Sequence, residues 1–189
     1  MTRRRTVLAV SVLGLLVTTL LTSCGDDGGG PTGTVAVLLA DGPADDYDHL
    51  FVTIREVSLI STDNEFSPEV LFRSEAGLEV DLLDLRDEDF LVAVKRSVAA
   101  GTYSKIRLEV SDVRPEGGPC EQLRTTLPSG RMDLNPRRDF EVVAGGTLSI
   151  RFDIDANKSL NLHVAGYSGR CVFRPVVYSD DFASNGIKS

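Results

Sequence analysis

Residues 148–155 read LSIRFDID, and this stretch decides the fold. Leu148, Ile150, Phe152 and Ile154 alternate with Ser149, Arg151, Asp153 and Asp155. A strict period of two puts every apolar side chain on one face of an extended chain and every polar one on the other. A helix would scatter the same residues round its whole circumference. The same alternation recurs on both sides. Val35, Val37 and Leu39 carry it in TVAVLLA, and Ile106, Leu108 and Val110 carry it against Lys105, Arg107 and Glu109. In LFVTIREVSLI (50–60), Val52 and Ile54 share one parity and Val57 and Leu59 the other, so a β-bulge is expected near Arg55–Glu56. EVLF, LEVDL and Leu160–Leu162–Val164 are shorter strand candidates. CVFRPVVY closes the series, with Pro175 pointing to an edge strand or bulge.

Turn residues separate these runs: DGPADD, STDNEFSP, RPEGGP, LPSG, NP and AGG. Many short strands at such spacing predict a mostly β chain, a single antiparallel β-sandwich or barrel over residues 34–179, followed by a tail at 180–189. One segment differs. In DLRDEDFLVAVKRSVAAG (84–101), Phe90, Val94 and Val98 recur every four residues, with acids first and bases later, which predicts one short helix ending near Gly101. Next comes AGTYSKIRLEV. A Gly-x-Tyr before an alternating strand resembles the tyrosine corner of Ig-like sandwiches and the same position in transthyretin-like and carboxypeptidase-regulatory-like domains. Tyr103 and Gly101 are therefore expected to be structural, an ordinary half-buried strand tyrosine being the alternative.

The N-terminus supplies an address. Arg3, Arg4 and Arg5 precede an uncharged run from Val7 to Leu21, the pattern of an export signal and too short for a spanning helix, which needs roughly 20 residues. Leu21-Thr22-Ser23-Cys24 ends it and resembles a bacterial lipobox. That resemblance implies cleavage after Ser23 and acylation of Cys24, the alternative being an ordinary secretory signal with an incidental cysteine. Gly25 rather than aspartate after the anchor implies, by likeness to Gram-negative lipoproteins, the outer membrane. Residues 24–33 read as a lipidated flexible tether reaching roughly 15–20 Å.

The signal holds three of the 20 basic residues and none of the 28 acidic ones, so the mature chain carries −11 against −8 for the whole. Such a surface disfavours nucleic acid and direct contact with anionic headgroups. Two cysteines remain after Cys24. In an oxidising compartment Cys120 and Cys171 are expected to pair, with two free thiols as the alternative.

Three stretches, VAVLLADGPADDYDHLFVTIREV (35–57), VAAGTYSKIRLEVSD (98–112) and LSIRFDIDANKSL (148–160), together resemble a family of bacterial lipoproteins built on a domain of unknown function. The likeness spans about 34 to 178. Ala40 departs from the Thr or Ser expected before the aspartate, and the cysteine pair is not a trait of that family. The resemblance implies a sandwich on a lipid anchor and supplies no catalytic residues.

Two acidic stretches are candidate cation ligands. Asp41, Asp45, Asp46 and Asp48 crowd DGPADDYD, and Asp153, Asp155 and Asn157 alternate in FDIDAN. Calcium takes six to eight oxygens of these kinds, so the two stretches form a composite calcium site if they meet at one end of the sandwich. An EF-hand is excluded, because Lys158 stands at its glycine position and Val164 at its bidentate glutamate. The alternative is turn chemistry, in which Asp side chains satisfy local backbone groups. Enzymatic signatures are poor: two histidines, His49 and His163, lie among strand-like residues, and no G-x-S-x-G, H-E-x-x-H or phosphate loop occurs. The expected role is a non-enzymatic binding or structural module of the cell envelope, its partners envelope proteins or glycans. A calcium-dependent adhesion module is the alternative, and a carboxylate-based hydrolase a weaker one.

Overall fold

A computed structural model of the chain describes residues 30–41, 46–65, 67–85, 88–136, 138–163 and 169–185. The signal segment, Cys24 and the first residues of the tether lie outside them. The strands are β1 (Thr32–Asp41), β2 (His49–Ser61), β3 (Glu69–Asp81), β4 (Phe90–Ala99), β5 (Gly101–Glu116), β6 (Arg124–Thr126), β7 (Arg131–Leu134), β8 (Phe140–Val142), β9 (Thr147–Ile154), β10 (Leu160–His163), β11 (Arg170–Phe173) and β12 (Val177–Asn185). Among the described residues helix is confined to two single turns, a 3-10 turn at Leu82–Leu85 and α1 at Ala156–Ser159. Neither is long and apolar enough to cross a membrane.

The chain is mostly β, as the alternation predicts, with strands in a first sheet β12-β9-β1-β4, a second β3-β2-β5-β7 with β8 also on β5, and a third β10-β11-β6. Most pairings are antiparallel, but β1–β9 and β6–β11 run parallel. The inward residues of LSIRFDID do what their parity requires. Ile150, Phe152 and Ile154 are fully buried beside Val35, Val37 and Leu39 of β1. They join one core with Val52, Ile54, Val57 and Leu59 of β2 and Ile106 and Leu108 of β5. Full burial of each such side chain contributes roughly 1.5–3 kcal/mol. The bulge in β2 falls where the parity change puts it, with register shifts between Ile54 and Glu56 against both β3 and β5.

The helix expected over 84–101 is not formed. Its Phe90–Ala99 part is β4, antiparallel to β1 at the sheet edge. The four-residue spacing misled because β4 carries two register irregularities. Pairing jumps from Val37↔Ala93 to Leu38↔Leu91 and from Gly33↔Val98 to Val35↔Lys95, which breaks the alternation. Val92, Ala93 and Val98 turn inward, while Val94, on the supposed helical stripe, is 48% exposed. Lys95 Nζ donates to Glu69 Oε1 at 2.7 Å and to the Val70 carbonyl at 2.9 Å, tying the edge of the first sheet to β3 of the second.

Two other expectations change. EVLF and LEVDL belong to one strand, β3, irregular in the middle. CVFRPVVY is two strands divided at Pro175: the Arg174 amide donates to the Ser159 carbonyl and the Val176 amide to Ser159 Oγ, so this segment hangs on α1 rather than on a ladder. The expected Cys120–Cys171 bridge is present, both halves fully buried, fastening the turn after β5 to β11.

Candidate functional site

The acidic stretches gather at one end of the molecule. β1 and β9 run parallel with Asp41 opposite Ile154, so Asp41 and Asp155 close the same end of the first sheet. β2 starts at that end, where His49 lies opposite Glu116, and β3 finishes there at Asp81. The 3-10 turn follows, with Leu82, Leu83 and Leu85 buried in the core.

The proposed calcium ligands fare differently. Asp155 caps α1: its Oδ1 accepts the Lys158 amide at 2.9 Å and its Oδ2 the Lys158 ammonium at 2.6 Å. Lys158's hydrogen bonds hold this carboxyl below the usual range. Asp153 lies on β9 opposite Ala40 of β1 and Tyr178 of β12. Asp46 and Asp48 are exposed, and the Asp48 amide donates to the Glu116 carbonyl at 2.9 Å. Asp45 and the side chains of Asp41 and Asn157 lie outside the described part. The turn after β5 abuts this loop through Gly117 and Gly118, at φ +66° and +72°. A Cβ on Gly118 would lie 2.0 Å from the Asp46 carbonyl oxygen.

The structure assembles a second cluster that no local pattern announces: His49, Asp81 and Asp84. One potential ligand atom from each lies within 4.8 Å of the other two. His49 Nδ1 and Asp81 Oδ2 are 2.5 Å apart. Asp81 Oδ1 accepts the amides of Leu50 at 3.0 Å and Leu83 at 3.1 Å, which fixes the carboxylate. The hydrogen bond to Asp81 raises the pKa of His49 above its ordinary value, and the charges of Asp81, Asp84 and Glu116 add to the effect. Beside it, the His49 ring stacks on Phe51 with centroids 5.6 Å apart, and the Arg114 guanidinium lies 4.3 Å over the other aromatic ring. Arg114 also pairs with Glu116 and, at 3.3 Å, with Glu79. Sequence reasoning noted His49 without a partner because Asp81 lies 32 positions away. The usable signal was the pairing of β2 with β3, which sets Phe51 opposite Asp81.

Elsewhere a cleft of about 410 Å³ runs between the end of β5 and β6, with Asp112, Arg114, Glu121 and Arg124 on its walls. Tyr103 is 4% exposed and its hydroxyl donates to the Ala99 carbonyl at 2.8 Å, the bond expected of a tyrosine corner. Gly101 has open space where a Cβ would stand, so no neighbour there demands glycine.

Neither the curated proteins nor the solved structures contain a match to this chain. The family model described as Domain of unknown function (DUF4382) matches residues 32–175, from the start of β1 to the proline that precedes β12. With the match covering most of its length, the chain belongs to the DUF4382 family.

Proposed function

We propose that the protein is a lipid-anchored β-sandwich lipoprotein of the cell envelope, held at the outer membrane, that acts as a non-enzymatic binding or structural module. One observation carries the reading: an uncharged run behind three arginines ends at Leu21-Thr22-Ser23-Cys24, and a glycine-rich stretch then leads straight into β1. A signal of this form is cut before the cysteine, whose thiol and new amino group take the acyl chains. The domain then stands a short tether away from the bilayer, its acidic surface repelled by anionic headgroups and presented to envelope proteins or glycans. The transthyretin-like reading of the sandwich draws support from Tyr103 and its bond to Ala99.

The test is metabolic labelling with a palmitate analogue, followed by membrane fractionation. The expected result is label in the outer-membrane fraction, with Cys24→Ala unlabelled and released. An unlabelled native chain that fractionates as soluble overturns the proposal.

A second reading is a calcium-dependent module, favoured by the register that brings the Asp41 and Asp153–Asp155 ends of β1 and β9 together. It expects a calcium-selective rise in melting temperature that the double substitution Asp153→Asn and Asp155→Asn removes. Equal stabilisation by magnesium would reduce it to charge screening.

A further inference from the structure

We infer that His49, Asp81 and Asp84 bind a divalent transition metal ion, zinc in the first instance. The inference rests on the geometry of these three residues and stands apart from the lipid anchor and from the calcium reading.

Each ligand is delivered by an element rooted in the core. His49 opens β2, Asp81 closes β3, and Asp84 sits on the 3-10 turn whose leucines are buried. A 3-10 turn has three residues per turn, so Asp81 and Asp84, three apart, are carried toward the same side of it. Asp81 is half engaged already. Its Oδ1 serves the Leu50 and Leu83 amides, and its Oδ2 is turned to the imidazole. Asp84 is exposed, and the His49 side chain is 44% exposed, so both can adjust and an ion can reach them.

The distances suit a small ion. With zinc–nitrogen and zinc–oxygen bonds of about 2.0–2.2 Å, two ligand atoms of a tetrahedral site stand roughly 3.3 Å apart. His49 Nδ1 and Asp81 Oδ2 share a proton's width at 2.5 Å and need to part by less than about 1 Å for a metal to take that place. A carboxylate oxygen of Asp84 lies within 4.8 Å of one ligand atom from each of His49 and Asp81, and a closing movement of roughly 1.5 Å, within the swing of an exposed aspartate, brings it into bonding range. Charge agrees: two carboxylates and a neutral imidazole carry −2 against the ion's +2, while the Glu116 carboxylate opposite His49 is paired with Arg114. The donor set chooses the metal. One imidazole nitrogen with two carboxylate oxygens is ordinary for zinc and its neighbours, whereas calcium and magnesium require a larger, all-oxygen shell. A fourth position is left to water or to a partner's side chain, the arrangement of an open rather than closed zinc site.

The experiment uses the full chain, purified in detergent without a histidine tag, with zinc binding read by calorimetry and cobalt binding by visible absorption. The expected result is one zinc per chain. His49→Gln and Asp84→Asn should each weaken it at least tenfold and abolish the tetrahedral cobalt bands, while Asp153→Asn leaves both unchanged. Millimolar calcium should not displace the zinc. Asp84 is exposed and the His49 side chain 44% exposed, and unchanged melting temperatures in EDTA will show that both variants fold. Asp81 is left intact because its substitution also releases the Leu50 and Leu83 amides. Zinc affinity in His49→Gln or Asp84→Asn equal to that of the native chain overturns the inference, as does displacement of zinc by calcium. Neither result bears on acylation of Cys24.

Discussion

Reduction of the Cys120–Cys171 bridge should cost the protein about 4 kcal/mol of stability. The two cysteines are 51 positions apart, and the chain-entropy relation for a loop of that size gives close to 14 cal/mol/K, hence about 4 kcal/mol at 25 °C. For a domain of this length each kcal/mol moves the midpoint by roughly 2–4 °C, so the melting temperature should fall by about 8–16 °C. Both halves of the bridge are fully buried, and Cys171 sits on β11, which holds β6 and β10 together in the third sheet. The loss should therefore begin there. Amides of Arg170–Phe173 should lose protection from hydrogen exchange before those of β2 or β9. The assay is a thermal melt of the native chain with and without a phosphine reductant, thiols counted afterwards, beside the Cys120→Ala, Cys171→Ala double variant. Reducing the native chain leaves both sulfurs in place and keeps the comparison free of the cavity that alanine creates. A fully reduced native chain melting within about 2 °C of the oxidised one would refute the reasoning, since the unfolded state would then gain little freedom from the open loop.

Three further outcomes follow from single side chains. Tyr103→Phe should keep the fold and lose about 1–2 kcal/mol in urea titration, because the ring still stacks on Phe140 while the Ala99 carbonyl loses its 2.8 Å donor. Gly118→Ala should lose about 2 kcal/mol or more in the same assay, since its φ of +72° is strained for alanine and the Asp46 oxygen blocks the Cβ. Arg107 donates to both oxygens of Asp133, and these hydrogen bonds hold the Asp133 carboxyl below its ordinary pKa. The native state thus binds fewer protons than the unfolded one in acid. The stability this provides is full above an unfolded value of about 3.9 and fades as pH falls through the lower native value. Urea midpoints at pH 6 and pH 3 should show a smaller acid loss in Asp133→Asn than in the native chain, and equal losses would count against the pair.

Much of the fold was legible because strand burial is a local matter. Leu148–Ile154, Val35–Leu39 and Ile106–Val110 each had one apolar face, and that parity holds whichever strand lies alongside. The bulge in β2 was legible for the same reason, since a parity change within one run has a single local explanation. Tyrosine and cysteine placement likewise pointed to the backbone bond made by the Tyr103 hydroxyl and to the buried bridge.

Tertiary structure decided what depends on a partner strand. The sequence of Phe90–Ala99 satisfies a helical spacing as well as an extended one, and only pairing with β1, with its two irregularities, chooses the strand and directs Val92, Ala93 and Val98 inward. Asp155 accepts the Lys158 amide and ammonium only because α1 forms and brings the two together. His49 acquires meaning only when the register of β2 on β3 brings it to Asp81, and the buried leucines of the next turn set Asp84 beside them. Alternation along one strand is determined by its own residues. Which residues meet across strands is determined by register, and register is settled by the packing of the whole core.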